Sequence, residues 1–312
     1  MIIDAHLHLS NKGWIHDSFF IGAGRIFSAM IAKETGERPD PIPLGRSLIP
    51  QHSDLRGEGA IKTMDAAGVD KSCVFALDWG LITGEPDVSI EEQNRVIADL
   101  PKHFPGRFIP FFAIDPRRPQ AVEMFSRAVE DWGMKGLKIH PATGFYPYDE
   151  ICYPLYEKCL EYRMPVIIHT GAINAPLKSR FTRPMNVDDM AADFPDLPII
   201  MAHTGFTMWR EALDIAGMKP NIYFDFSAWQ LTFTQFPQEF YIMLRRVIDE
   251  VGPWRVFFGS DGALHSAIYP LKSWVQAIRA PDLTSCPEIS FTEAEKEIVL
   301  GKAFARLLNI GR

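Results

Sequence analysis

Ile199-Ile200-Met201-Ala202-His203-Thr204-Gly205 is an apolar run that ends on a histidine and breaks at a glycine turn. Val166-Ile167-Ile168-His169-Thr170-Gly171 repeats the pattern, and Gly136-Leu137-Lys138-Ile139-His140-Pro141 also closes on a histidine. Short apolar runs bounded by turn residues, without clean alternation, read as strands buried on both faces of a parallel sheet. Working outward, the same reading gives Ile2–His8, Lys71–Leu77, Arg107–Ile114, Pro165–Thr170, Pro198–His203, Asn221–Ser227 and Arg255–Ser260 beside Gly136–His140. That makes eight strands.

The segments between them carry helix signals. Ser89 with Glu92 predicts a capping box for a helix over Ile90–His103, and Thr292 with Glu295 predicts another for Glu293–Asn309. Pro119 opens Gln120–Trp132, with Gly133 behind it, and Phe236–Val251 stops at Gly252-Pro253. Eight strands alternating with helices predict an α/β chain folded as a (β/α)8 TIM barrel, one domain over residues 1–312. A long stretch, Leu9–Gln51, separates the first strand from a helix over Asp54–Gly68. Its apolar patch Trp14–Met30 argues against disorder, so residues 9–51 read as an insertion over the active-site face. Trp14, Phe19 and Phe20 either line an apolar pocket or pack the insertion itself.

Composition narrows the partners. The 312 residues carry 32 Lys plus Arg against 39 Asp plus Glu, a formal charge of −7, which disfavours nonspecific nucleic-acid binding. No apolar run approaches the roughly 20 residues that span a bilayer. The opening residues have no signal-like segment, and Cys73, Cys152, Cys159 and Cys286 form no Cys-x-x-Cys pair. The expectation is a cytoplasmic protein with reduced, packed thiols, assembled as a homodimer and acting on a small molecule.

Asp4-Ala5-His6-Leu7-His8 carries the chemistry. On a strand His6 and His8 project to one side, so one metal ion can bind both while the backbone stays extended. Five of the nine histidines (His6, His8, His140, His169, His203) stand at carboxyl ends of expected strands, and Phe257-Phe258-Gly259-Ser260-Asp261 ends the last strand with a carboxylate. In a barrel these ends converge on the face that holds active sites. Imidazoles with a carboxylate suit one divalent transition metal, zinc first and manganese second, whose bound water is acidified towards neutrality.

These residues resemble the amidohydrolase superfamily, and within it the amidohydrolase-related branch of aminocarboxymuconate-semialdehyde decarboxylase and the hydroxybenzoate-type decarboxylases. The resemblance runs from Asp4-Ala5-His6-Leu7-His8 through Gly136–Pro141, Ala202–Gly205, Asn221–Ser227 and Phe258–Asp261 to the closing Gly301–Leu308 helix. It implies His6, His8, His169 and Asp261 as metal ligands, with His203 and Asp261 catalytic. In the two-metal branch, His203 instead binds a second metal and Lys138 carries a bridging carbamate. Otherwise Lys138 is a cation for a substrate carboxylate, with His140 beside it, or a lysine paired to an acid. Where the family often has asparagine in its closing helix, this chain has Ala303, and only altered packing is expected.

The implied activity is metal-dependent hydrolysis of a small carboxylate-bearing, cyclic or aromatic substrate through a metal-activated water. The alternative is nonoxidative decarboxylation of a hydroxylated aromatic or unsaturated acid at the same site. A metal-free binding protein that kept the barrel is the third possibility. Further residues with an open role are His16, His52 and Arg25 in or beside the insertion, His265 after Asp261, and Arg180 and Arg183 after strand five. His103 reads as a solvated helix-end residue.

Overall fold

The computed structural model describes residues 1–9 and 11–311. All eight expected strands form, and every pairing is parallel between neighbours in sequence order. They are β1 (Ile3–Leu7), β2 (Lys71–Val74), β3 (Phe108–Pro110), β4 (Phe112–Ala113), β5 (Leu137–Ile139), β6 (Val166–His169), β7 (Ile199–Ala202), β8 (Ile222–Asp225) and β9 (Val256–Phe257). The expected third strand is cut at Phe111 into β3 and β4, which belong to sheets of three and six strands. Phe111 N bonds back to Val74 O while Phe112 N turns forward to Gly136 O, both at 2.9 Å. The break hands the strand from one sheet to the other.

At the other seam, Ala5 N donates to Phe258 O and Asp261 N to His6 O, each at 2.8 Å. The last strand thereby returns to the first, and the architecture is an α/β barrel. Alternate residues divide between two apolar clusters. Val74, Leu137, Ile139, Val166, Ile168, Ile199 and Met201 face the helices. Ile3, Ala5, Cys73, Phe75, Ile167, Ile200 and Phe257 fill the interior, joined by Ala303 and Phe304 of the closing helix. Burial of both faces is why the sequence shows no polar alternation. It also places Ala303, 1% exposed, in a purely packing role.

Helix ends follow their signals closely. The two capping boxes form at Ser89/Glu92 and Thr292/Glu295, and Pro237–Val251 stops at Gly252. The last expected helix is interrupted: Ile298–Lys302 is a π-turn between Glu293–Glu297 and Ala303–Leu307. That turn lets Phe258 N bond Val299 O. The helix expected over Asp54–Gly68 begins at Glu58 instead, because Asp54 folds back to accept from the amides of Gly59 and Ala60.

The insertion is helical. α1 (Asp17–Thr35) and α2 (Pro41–Ser47) pack against each other, with His16 as the N-cap of α1 through Nδ1. Phe19 and Ile15 join Trp79, Ala142 and Leu177 in an apolar cluster over the carboxyl ends of β2, β5 and β6. The amide of Asn174, after β6, donates to Phe19 O at 3.2 Å. All four cysteines are free and buried, and among the described residues no helix is long and apolar enough to cross a membrane.

Candidate metal centre

His6, next to last in β1, is fully buried, with Nδ1 2.9 Å from Oδ2 of Asp225. That leaves Nε2 facing inward, 3.2 Å from His8 Nε2 and 3.0 Å from Asp261 Oδ1. His8 is fixed the same way: Nδ1 donates to Phe75 O at 3.0 Å and Nε2 lies 3.7 Å from Asp261 Oδ1. His169 bonds through Nδ1 to His203 Nε2 at 3.0 Å, while its own Nε2 is buried with no hydrogen-bond partner among the described residues. The three imidazoles thus each have one nitrogen anchored by a neighbouring group. The second nitrogens of His6 and His8 face each other and Asp261, and that of His169 has no partner among the described residues.

His203 differs. Its Nε2 is engaged by His169 and its Nδ1 by Ser227 Oγ at 2.8 Å, with Asp261 Oδ1 at 3.9 Å. It nevertheless groups with His6 and Asp261, one donor atom of each lying within 4.8 Å of the others. The backbone here is held in unusual shapes: His203, Thr204, Phe206, Ala228 and Asp261 all have positive φ without being glycine. Such residues cost about 1–3 kcal/mol each and persist only where surrounding contacts enforce them. Asp225 supplies several of those contacts, since Oδ1 accepts from the amides of His203 and Ser227 at 3.0 Å and its backbone oxygen accepts from Thr204 Oγ1 at 2.8 Å. Gly262, at φ +79°, is required after Asp261 because a Cβ there would stand 2.3 Å from His8 O.

Electrostatics follow from burial and pairing. Burial pushes the Asp225 carboxyl up, but the charge and hydrogen bond of His6 outweigh it and hold the group well below the usual carboxylate range. The pKa of His6 is correspondingly raised, Asp225 overcoming the effect of burial. Burial lowers His8 and His203 to about 3, and drives His169 and His140 well below the ordinary imidazole value. Neutral imidazole is the form that ligates metal. Asp261 is held well below the ordinary range: burial raises it, but His265 and His203 outweigh that.

Lys138 is 2% exposed, in register with Ile167 in the barrel interior, with Nζ 5.0 Å over the Phe75 ring and no hydrogen-bond partner among the described residues. Burial lowers its pKa to about 8, against the pull of Asp225 and Asp261. No acid is bonded to it, which disfavours its reading as an ion-paired structural lysine. His140 stacks on His169 at 3.9 Å between ring centres.

The remaining candidates separate. His265 brings Nδ1 to 2.9 Å of Asp261 Oδ2, though off hydrogen-bonding alignment. Arg183 is exposed and paired to Glu211 at 2.8 Å, and exposed Arg180 lies over Phe181. Neither guanidinium is part of the histidine cluster. His52, Arg25 and His103 are exposed. The residue that sequence reasoning missed is Asp225. Its signal was available: it ends Ile222-Tyr223-Phe224-Asp225 in the position where other strands end on histidine.

The family model described as Amidohydrolase matches residues 3–310. The chain belongs to the amidohydrolase family. It is therefore a metal-dependent enzyme, of a family that holds hydrolases and carboxy-lyases. No functionally curated protein matches the sequence significantly. Among solved structures it is similar to an uncharacterized TIM-barrel protein from Bordetella bronchiseptica, at 21% identity over 100% of this chain and 99% of that one, with a TM-score of 0.67. It is similar to 5-carboxyvanillate decarboxylase from Sphingomonas paucimobilis at 19% identity, covering 99% of each chain, with a TM-score of 0.65. A 2,6-dihydroxybenzoate decarboxylase complexed with 2,6-dihydroxybenzoate matches at 18% identity over 100% of this chain and 99% of that one, with a TM-score of 0.66. At these identities the likeness concerns the fold.

Proposed function

We propose that this amidohydrolase is a hydrolase of a small carboxylate-bearing, cyclic or aromatic substrate, using one divalent metal held by His6, His8, His169 and Asp261. The observation that carries the reading is the division among the histidines. The second nitrogens of His6 and His8 converge on each other and on Asp261 Oδ1, and that of His169 has no partner among the described residues. His203 is instead held by His169 and Ser227 outside that trio. The 3.0–3.7 Å separations among His6 Nε2, His8 Nε2 and Asp261 Oδ1 fit donors sharing one ion with bonds of about 2.0–2.2 Å. Nitrogen donors with a carboxylate favour zinc over manganese.

When bound, such a metal supplies Lewis acidity and makes water nucleophilic near neutral pH. The protein's own groups do the rest. Asp261 takes a proton from the attacking water and returns it to the leaving group. His203, whose Nδ1 stands 3.9 Å from Asp261 Oδ1, exchanges its Ser227 contact for the water, orients it and stabilises the developing oxyanion. Lys138 and His140 bind the substrate's carboxylate. The four buried, unpaired cysteines support a cytoplasmic location.

A second reading, nonoxidative decarboxylation, is favoured by Lys138, whose buried ammonium without an acid partner suits a carboxylate at the reacting carbon. There Asp261 would take a proton from the substrate's hydroxyl or a water and deliver it to the carbon that loses carbon dioxide. Elemental analysis of protein purified without added metal tests the shared site, with about one metal per chain expected. A screen of lactones, cyclic amides and hydroxylated aromatic acids with carbon dioxide monitored in parallel separates the reactions. Metal-free protein with activity indifferent to chelators would sink both.

A further inference from the structure

We propose that the indole N–H of Trp79 is a substrate-binding donor, reading an oxygen acceptor on a group next to the carboxylate that Lys138 holds. The proposal rests on the metal-site reading above and adds a specificity determinant to it. Four buried polar atoms without hydrogen-bond partners among the described residues lie along one arc of the barrel mouth: Trp79 Nε1, Lys138 Nζ, His140 Nδ1 and His169 Nε2. Their residues are 2–6% exposed. Buried polar groups are satisfied in folded proteins, so a cluster of orphans marks a place for a ligand. A metal accounts for His169, because imidazole nitrogen can offer a lone pair. It cannot account for Trp79 or Lys138, since indole N–H and ammonium only donate. Both need an acceptor.

The rings tie this donor to the centre and to the insertion. Trp79 meets the His140 ring edge-on at 5.1 Å, and His140 stacks on His169 at 3.9 Å. On its other side Trp79 packs on Phe19 of α1 at 4.4 Å between ring centres. The indole is thus held between the metal-binding face and the insertion, and α1 sets its position. A planar acid with a neighbouring hydroxyl or second carboxylate presents the required pair of acceptors, one for Lys138 and one for Trp79.

The test uses the zinc-loaded protein with benzoate, salicylate and phthalate as probes. The indole resonance absent from the 15N–1H spectrum of Trp79→Phe assigns Trp79. It should move downfield with salicylate or phthalate and stay in place with benzoate. Trp79→Phe should weaken salicylate or phthalate roughly 3- to 10-fold, the worth of one hydrogen bond, and leave benzoate unchanged. If neither salicylate nor phthalate moves the resonance in the wild-type protein, the proposal is overturned, whether or not the variant folds. Equal weakening of all three probes would also overturn it, reducing Trp79 to an apolar wall. Protein that holds no metal yet shows the shift would keep the donor and lose the hydrolase reading.

Discussion

Asp225 Oδ2 lies 2.9 Å from Nδ1 of His6, and both side chains are fully buried. The contact fixes which nitrogen of His6 faces the centre, while the other carboxylate oxygen holds the His203 and Ser227 amides. Asp225→Asn preserves shape and those amide bonds but weakens the hold on the imidazole. Metal affinity should fall about 10- to 100-fold, as when an acid supporting a ligand histidine is neutralised. Chelator competition measures it, and unchanged affinity would show that Asp225 merely packs.

His203 is expected to serve chemistry more than metal retention, because its ring is held by His169 and Ser227 with Nδ1 3.9 Å from Asp261 Oδ1. His203→Ala should keep most of the metal and lose at least about 10²-fold in turnover, the scale of an acid–base group. Metal content measured beside kcat decides. Loss of the ion with the imidazole would favour a ligand role and the two-metal alternative.

The insertion is locked to the loop after β6 by backbone contact. A Cβ on Gly22 would stand 1.8 Å from Ala175 O, so Gly22→Ala must displace α1 or that loop. Forced overpacking costs about 1–3 kcal/mol. If α1 shapes substrate binding through Phe19 and Trp79, KM should rise several-fold while metal content holds. A variant with lower melting temperature but unaltered KM would make the insertion structural only.

Far from the centre, Arg245 donates to Glu295 at 2.8 Å, and Glu295 also closes the Thr292 capping box. The Arg245 hydrogen bond, against some burial, lowers the Glu295 pKa to about 2. A carboxyl depressed in the folded state stabilises fully above its unfolded pKa, and that contribution is lost as pH falls towards the folded value. The urea-midpoint gap between wild type and Glu295→Gln should be constant above the ordinary glutamate range and close between about pH 4.5 and 2. A gap that widened on acidification would refute the assignment.

The sequence by itself determined the barrel and most of the candidate centre. Strand runs such as Val166–His169 are local: burial on both faces demands consecutive apolar residues, and each turn residue marks where a run stops. Histidine after such a run therefore announces its own place, as at His6, His169 and His203. What only the tertiary structure decided depends on partners distant in the chain. The bond from Asp225 to His6 spans 219 positions and the bond from Asn174 to Phe19 spans 155, and no local pattern encodes either. The cut at Phe111 arises because one strand must serve two neighbours, Val74 and Gly136. The division of the imidazoles is likewise set by which backbone oxygen or carboxylate the fold carries to each ring. Position on a strand could place Lys138 near the mouth of the barrel, but only packing could bury Lys138 Nζ and Trp79 Nε1 without partners among the described residues.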